Sequence, residues 1–292
     1  MSDETDRHTP RSLIVSFYGA YGRGADGPAG PGGADGPVPV AALIRLLGTL
    51  GVDPPSVRSA VSRLKRRGLL AAERTAGGAA AYGLSEAGRE LLADGDRRIF
   101  GRPAAGRPEG WVLAVFSVPE EERHKRHLLR SRLARLGFGT AAPGVWIAPA
   151  HLAEETRHTL ERLQLSTYVE LFTGTHAGFT PTARAVARWW DLDALAARYR
   201  AFLAAHEPVL ARWSRRRTIP PEAAYRDYLP ALDAWRRLPY ADPGLPSPLL
   251  PEDWPGGRAA EVFGRLHTTL RAAGARYVHE VIGGPPRTQD GG

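Results

Sequence analysis

The stretch SVRSAVSRLKRRGLL, residues 56–70, contains four arginines and one lysine but no acidic residue. At 100° per residue its apolar side chains fall on one side of a helix and its serines and most of its arginines on the other. Asp53 followed by Pro54 is a typical helix start, and Gly68 is a typical stop. The sequence therefore predicts an amphipathic helix from Pro54 to about residue 67. Its inward residues are Val57, Ala60, Val61 and Leu64.

Two helical patterns precede this helix and a hairpin pattern follows it. The helices are predicted over residues 11–22 and 38–50, and the hairpin turns at Gly77 and Gly78 before a helix that starts near Ser85. A basic helix alone is more often a solvated surface. The order of helices and hairpin is that of a winged helix-turn-helix, and together with the one-sided charge it favours DNA binding. We predict this domain over residues 1–100.

The exposed face of the predicted helix combines small hydroxyl side chains with arginines. Small residues let a helix approach base edges closely, and arginine donates to guanine or phosphate. Arg74, near the hairpin tip, is expected to contact phosphate or the minor groove. The predicted DNA-binding residues are Ser56, Arg58, Ser59, Ser62, Arg63, Arg66, Arg67 and Arg74.

Composition points to a protein with two or three domains and a polyanionic partner. The chain has 292 residues, a formal charge of +8 and a sequence pI of about 10.2, and only Lys65 and Lys125 are lysines. The absence of cysteine excludes disulfides and thiolate metal sites. The sequence shows no apolar signal-peptide core and no apolar run of about 20 residues, so we expect a cytoplasmic protein with no membrane partner.

A ferredoxin-like middle domain is predicted over residues 111–178, beyond a Pro/Gly-rich linker at 101–110. An apolar strand from Trp111, an acidic-first helix, a hairpin, a second helix and the strand TYVELFTG give the order βαββαβ. This fold serves many functions and assigns none. The charged run EEERHKRH, residues 120–127, is interpreted as a solvated helix face, with a metal pair of histidines as the less favoured alternative.

The last third is predicted to be a helical domain, over residues 179–283, so that the whole chain is α+β. Helices are expected over residues 182–206, 207–217, 221–237 and 258–277. Its tryptophans fit a helix-packing core or, as an alternative, an aromatic wall around a ligand. Disorder is predicted for residues 24–37, where glycine recurs at every third position, and for the tail, 284–292. Arginines near aromatic residues are the candidate ligand contacts: Arg188, Trp189, Arg198, Arg226 and Arg236.

The chain resembles the PaaX-type transcriptional regulators of phenylacetic acid catabolism. The similarity rests on SVRSAVSRLKRRGLL, on GVWIAP at residues 144–149, on W-x-L-x-x-L-x-x-x-Y-x-x-F at 190–202, and on RLPYADPGLPSPLLPEDWPG at 237–256. It implies a homodimeric repressor of operator DNA, with its recognition helix at residues 55–67. It also implies release by phenylacetyl-coenzyme A or another acyl-coenzyme A. The segment 24–37 departs from the usual short connection of the family.

Enzymatic functions find little support in the motifs. The sequence has no G-x-S-x-G, no H-E-x-x-H and no P-loop, so we expect no catalytic residues, no metal site and no cofactor. One alternative is a metal-dependent nuclease related to the ferredoxin-like CRISPR-adaptation nucleases. Its first strand would end at Phe116, Ser117 and Val118, with no carboxylate before Glu120. Another alternative is a ligand-free nucleic-acid-binding protein, which leaves about 190 residues without a role.

Overall fold

The computed structural model describes residues 8–23, 36–100 and 110–283. Within these ranges the chain is α+β, with two antiparallel sheets and a helical C-terminal region. The predicted disordered segments and the linker lie outside the described residues, except for Gly36, Pro37 and Gly110.

Two compact units divide the chain, and each is assembled from separate segments. The first unit combines residues up to 97 with residues 202–236 and those from 258 onward. The second combines residues 98–201 with 237–257. The division into three consecutive domains stays a prediction.

The N-terminal part of the first unit consists of four helices and a three-stranded sheet of order β1-β3-β2. Thr9 begins the first helix by accepting a hydrogen bond from the backbone N–H of Ser12. Leu13, Ile14 and Phe17 of that helix are buried in the core. The elements are α1 (Pro10–Tyr21), β1 (Val38–Pro39), α2 (Val40–Gly48), α3 (Pro54–Arg66), β2 (Leu70–Arg74), β3 (Ala80–Leu84) and α4 (Glu86–Ile99).

The predicted helix over residues 38–50 is wrong at both ends. Val38 and Pro39 form β1, paired with Tyr82 and Ala81 of β3, and α2 ends at Gly48. The residue before a proline is biased toward extended backbone, and this bias keeps Val38 in a strand. Val38 is also completely buried, so pairing with β3 satisfies its backbone where water has no access.

The C-terminal part of the first unit is helical. It holds the second half of α8 (Leu192–Ser214), α9 (Pro221–Trp235) and nearly all of α11 (Gly256–Gly283). Aromatic rings pack these helices together, and Trp235 of α9 stacks on Phe263 of α11 with ring centroids 4.9 Å apart. The final helix is longer than the predicted 258–277.

A single helix over residues 182–206 was the wrong prediction for the start of this region. The chain forms α7 (Thr182–Trp189) and then α8, with Trp190 extended between them. The Nε1–H of Trp190 donates to the carbonyl of Gly137 at 2.9 Å, and the Asp191 carboxylate accepts from the N–H of Ala194 at 2.9 Å to begin α8. The predicted boundary at 206/207 is also wrong, because α8 continues through Pro208.

The second unit contains a four-stranded antiparallel sheet of order β5-β6-β4-β7. The predicted βαββαβ order is confirmed, although residues 120–122 form a 3₁₀ turn ahead of the first helix. One sheet face packs on Leu129, Leu133 and Leu160 of its two helices. The elements are β4 (Trp111–Phe116), α5 (Arg123–Arg135), β5 (Gly139–Ala142), β6 (Val145–Pro149), α6 (Ala153–Arg162) and β7 (Val169–Gly174).

The opposite face of the β4 region packs on other parts of the same unit. Trp111 and Ile147 belong to one buried hydrophobic cluster with Val186 of α7 and Trp190. The segment 237–257 adds α10 (Leu238–Ala241) and a 3₁₀ turn. Across the described ranges, no helix is both long and apolar enough to cross a bilayer.

Candidate nucleic-acid interface

The orientation of α3 is fixed by its apolar side. Val57, Ala60, Val61 and Leu64 are all buried, with no more than 2% of any of them exposed. They pack within the N-terminal core, where α3 contacts α1 and α2. Because the inward residues leave no freedom to rotate the helix, the opposite face must point to solvent.

The outward face of α3 carries the residues predicted from the sequence. Arg58, Ser59, Ser62, Arg63, Arg66 and Arg67 are exposed, and Ser56 is half-buried. The backbone N–H of Ser56 donates to the Asp53 carboxylate at 2.9 Å. A hydrogen bond from the Ser56 side chain, followed by this backbone bond, lowers the pKa of Asp53. Ser56 therefore helps to cap the helix, and the other six form its exposed surface.

Nothing acidic neutralises this surface within the described ranges. No ion pair of 4.0 Å or less involves Arg58, Arg63 or Arg66 in the part of the chain that the structure describes. Guanidinium groups without a carboxylate partner keep their five donors for other acceptors. The face is therefore suited to phosphate oxygens and to the acceptor edge of guanine.

The hairpin after α3 has a well-defined tip. Gly78 has φ +78, a conformation that favours glycine, and its N–H donates to the carbonyl of Thr75 at 2.8 Å. Arg74 is exposed and donates through Nη1 to the carbonyl of Gly78 at 2.8 Å. This bond holds the guanidinium at the tip while leaving its other N–H groups available to an anion.

A buried carboxylate ties α1 to the C-terminal helices of the same unit. Asp233 of α9 accepts from Ser16 Oγ at 3.0 Å and Ser12 Oγ at 3.1 Å, and lies 2.8 Å from His8 Nδ1. Asp233 is only 3% exposed. Sequence reasoning missed this cluster. Ser12 and Ser16, four residues apart on one stripe of α1, are the signal that marks a polar contact there.

The five candidate ligand residues fall in different units. Arg188, Trp189 and Arg198 belong to the second unit, whereas Arg226 and Arg236 belong to the first. Trp189 packs edge-on against Trp111 with ring centroids 5.4 Å apart, so part of its ring serves the core.

The arginines among the five differ in how they are used. Arg188, Arg198 and Arg226 are exposed, and Arg188 Nη2 lies 3.5 Å from Thr180 Oγ1. Arg236 is partly buried and donates to the carbonyl of Val15 at 3.1 Å. Arg236 thus supports α1.

The end of β4 does not gather carboxylates. Glu120 pairs with Arg126 at 3.0 Å, and Glu122 bonds to Lys125 at 2.7 Å and to Tyr168 Oη at 2.6 Å. The Lys125 and Tyr168 bonds lower the pKa of Glu122. Among the residues that the structure covers, no group of three or more His, Cys, Asp or Glu side chains is arranged to hold a metal ion.

Comparisons with known proteins give matches along most of the chain. Residues 9–88 match the family profile "PaaX-like protein", residues 106–186 match "PaaX protein central Cas2-like domain", and residues 190–280 match "PaaX-like protein C-terminal domain". The chain is 26% identical over 275 residues to the transcriptional repressor PaaX of Escherichia coli K12, covering 92% of this chain and 83% of that protein.

A solved structure has a similar fold. An uncharacterized protein from Mycobacterium tuberculosis superimposes with a TM-score of 0.58 at 22% identity, over 92% of this chain and 99% of the other. The three family profiles follow one another along almost the whole chain, and the middle domain is Cas2-like. The chain therefore belongs to the PaaX family.

Proposed function

We propose that this protein is a sequence-specific DNA-binding transcriptional regulator whose α1–α3 and β2–β3 hairpin act as a winged helix-turn-helix. The observation that carries the proposal is the exposed face of α3, where arginines and serines lie opposite a buried apolar side. The E. coli relative, a transcriptional repressor by name, supports repression as the sign of regulation.

In this proposal α3 enters the major groove of the operator. Arg63 and Arg66 donate to guanine edges or phosphates, and Ser59 and Ser62 allow the helix to approach the bases closely. Arg74 at the hairpin tip contacts a phosphate or the minor groove. Two copies of the chain, related by a two-fold axis, place two α3 helices about one helical turn of DNA apart.

Release of the operator is assigned to an acyl-coenzyme A, with phenylacetyl-coenzyme A as the first candidate. The same resemblance suggests a phenylacetate operon as the target. We also propose that the repressor is cytoplasmic and has no enzymatic role. Such an effector acts only if it binds the DNA-free conformation more tightly than the DNA-bound one. Arg188, Trp189, Arg198, Arg226 and Arg236 are the residues whose substitution tests its binding.

The DNA-binding proposal is tested with a duplex that the wild-type protein selects from a random-sequence library. Fluorescence anisotropy at fixed salt then compares wild type, the Arg63→Ala/Arg66→Ala variant and an Arg184→Ala control. Arg184 is exposed on α7, remote in sequence from α3. Each lost guanine contact weakens binding by about 1–3 kcal/mol, so the double variant should lose at least tenfold in affinity. Equal affinity of all three proteins would remove α3 from the interface.

The effector is tested separately. Isothermal titration with phenylacetyl-coenzyme A should give a binding isotherm, and the same compound should displace the selected duplex in the anisotropy assay. Heat without displacement would show a ligand that is not an inducer. An absence of heat from a protein that binds DNA normally would reject this effector and leave the DNA-binding proposal intact.

A further inference from the structure

The middle domain carries a second strongly basic helix. Helix α5, RHKRHLLRSRLAR, has six arginines and lysines among thirteen residues and no acidic residue. Its inward side is fixed by Leu129 and Leu133, both completely buried against the sheet. The face opposite these leucines therefore has a defined direction and is open to solvent.

The outward face of α5 contains a row of two arginines, a histidine and an alanine. Arg123, His127, Arg130 and Ala134 are exposed at spacings of four, three and four residues, which places them along one line of the helix. Ser131 is exposed beside them. The row lacks the leucine, phenylalanine or tryptophan side chains with which an interfacial helix enters a bilayer.

Acidic residues of the preceding turn neutralise only the inner cations of α5. Lys125 bonds to Glu122 at 2.7 Å and Arg126 to Glu120 at 3.0 Å. Over the described ranges, no ion pair of 4.0 Å or less involves Arg123 or Arg130. The positive charge that remains uncompensated therefore lies on the solvent face of the helix.

The C-terminal end of the helix brings three arginines near one another. Burial lowers the pKa of Arg132, and repulsion from Arg135 and from Arg162 of α6 lowers it further. The Nε of Arg132 is buried without a hydrogen-bond partner. At 100° per residue Arg132 points about 200° away from Arg130, so it is not part of the outward row.

Given the DNA-binding function proposed above, we propose that the outward face of α5 is a second DNA contact, made to phosphates outside the base pairs that α3 reads. Seven residues separate Arg123 from Arg130, or about 10 Å along the helix. Duplex DNA carries one charge per about 1.7 Å of its axis, so a row of this length faces several phosphates. Phosphate contacts position a protein without reading sequence.

The experiment measures how the affinity for DNA depends on salt for an Arg123→Ala/Arg130→Ala variant. Both side chains are exposed, and thermal unfolding checks that the variant is folded. An Arg184→Ala/Arg200→Ala variant removes equal charge from exposed positions of α7 and α8 in the same unit. The probes are a long duplex that contains the selected site and an unrelated duplex of equal length.

The plot of log affinity against log salt has a negative slope, and each lost phosphate contact reduces its magnitude by about 0.9. The slope of the α5 variant should therefore be smaller in magnitude than that of the wild type by about 1.8. The ratio of wild-type to variant affinity should then be about twelvefold larger at 50 mM salt than at 200 mM. The loss should be equal on both duplexes, and the control should follow the wild type.

Several results would overturn the inference. An α5 variant with the wild-type slope, beside an α3 variant that loses specific binding, removes α5 from the DNA surface and leaves the proposed function standing. If the α5 variant loses affinity for the selected duplex alone, Arg123 and Arg130 contact bases instead of phosphates. Failure of the wild type to bind either duplex removes both proposals. Binding to phosphatidylserine vesicles that requires Arg123 and Arg130, with unchanged DNA affinity, assigns the surface to a membrane.

Discussion

Replacing Ser16 by alanine tests the buried polar link between α1 and α9. The Ser16 hydroxyl is 1% exposed and donates to Asp233 Oδ1 at 3.0 Å. Both oxygens of Asp233 accept hydrogen bonds. The alanine variant leaves Oδ1 without this donor and out of reach of bulk water, which costs about 1–3 kcal/mol.

The lower half of this range is the expected result, because Ser12 and His8 still contact Oδ2. We predict a loss of about 1.5 kcal/mol in the free energy of unfolding, measured from urea transitions with an unchanged m-value. Asp233→Ala should cost about 3 kcal/mol, because it leaves the Ser16 hydroxyl unpaired and opens a cavity.

The matched control for Ser16 is an exposed serine in the same unit. The Ser214 hydroxyl donates to the carbonyl of Ala211 at 3.0 Å on the surface of α8, where water replaces it. Ser214→Ala should change stability by less than about 0.5 kcal/mol. If Ser16→Ala costs no more than Ser214→Ala, the Asp233 cluster does not hold α1 to α9.

Two further predictions concern Gly139, in the second unit, and His206, in the first. Gly139→Ala should destabilise the protein by more than about 2 kcal/mol in a urea titration, because the new Cβ would lie 2.6 Å from the Trp189 carbonyl oxygen and 2.7 Å from the Trp190 ring. The control is Gly174→Ala, whose Cβ would have no atom within 4 Å and which should be close to neutral. Burial lowers the pKa of His206 from 6.5 to about 4. Between these pH values the histidine is protonated in the unfolded chain and neutral in the folded one, so stability falls as the pH drops from 6.5 toward 4. Between pH 7 and pH 5 the free energy of unfolding of His206→Leu should therefore fall by about 2 kcal/mol less than that of the wild type. An equal fall in both proteins would contradict this.

The sequence predicted local features well because they depend on neighbouring residues. The faces of α3 follow from a 3.6-residue period, and the hairpin tip follows from Gly77 and Gly78. The same reasoning placed the helices of the middle domain. It described the charged run 120–127 as a solvated face and so did not consider the outward row of α5 as a surface.

Features that depend on distant contacts were not predictable from one sequence. The break between α7 and α8 is held by Trp190, whose indole donates to Gly137, 53 residues away. The partners of Asp233 lie more than 200 residues before it. The first compact unit combines segments from both ends of the chain, and no local pattern predicts this.

The most direct test of the central claim, that α3 reads base edges, pairs single arginines with single guanines. Replacing a guanine of the selected duplex by 7-deazaguanine removes the N7 acceptor that arginine uses. We predict that at least one guanine shows about a fivefold loss of wild-type affinity, and that Arg63→Ala or Arg66→Ala abolishes this loss at the same guanine. Losses of equal size in wild-type and variant proteins at every guanine would contradict the account.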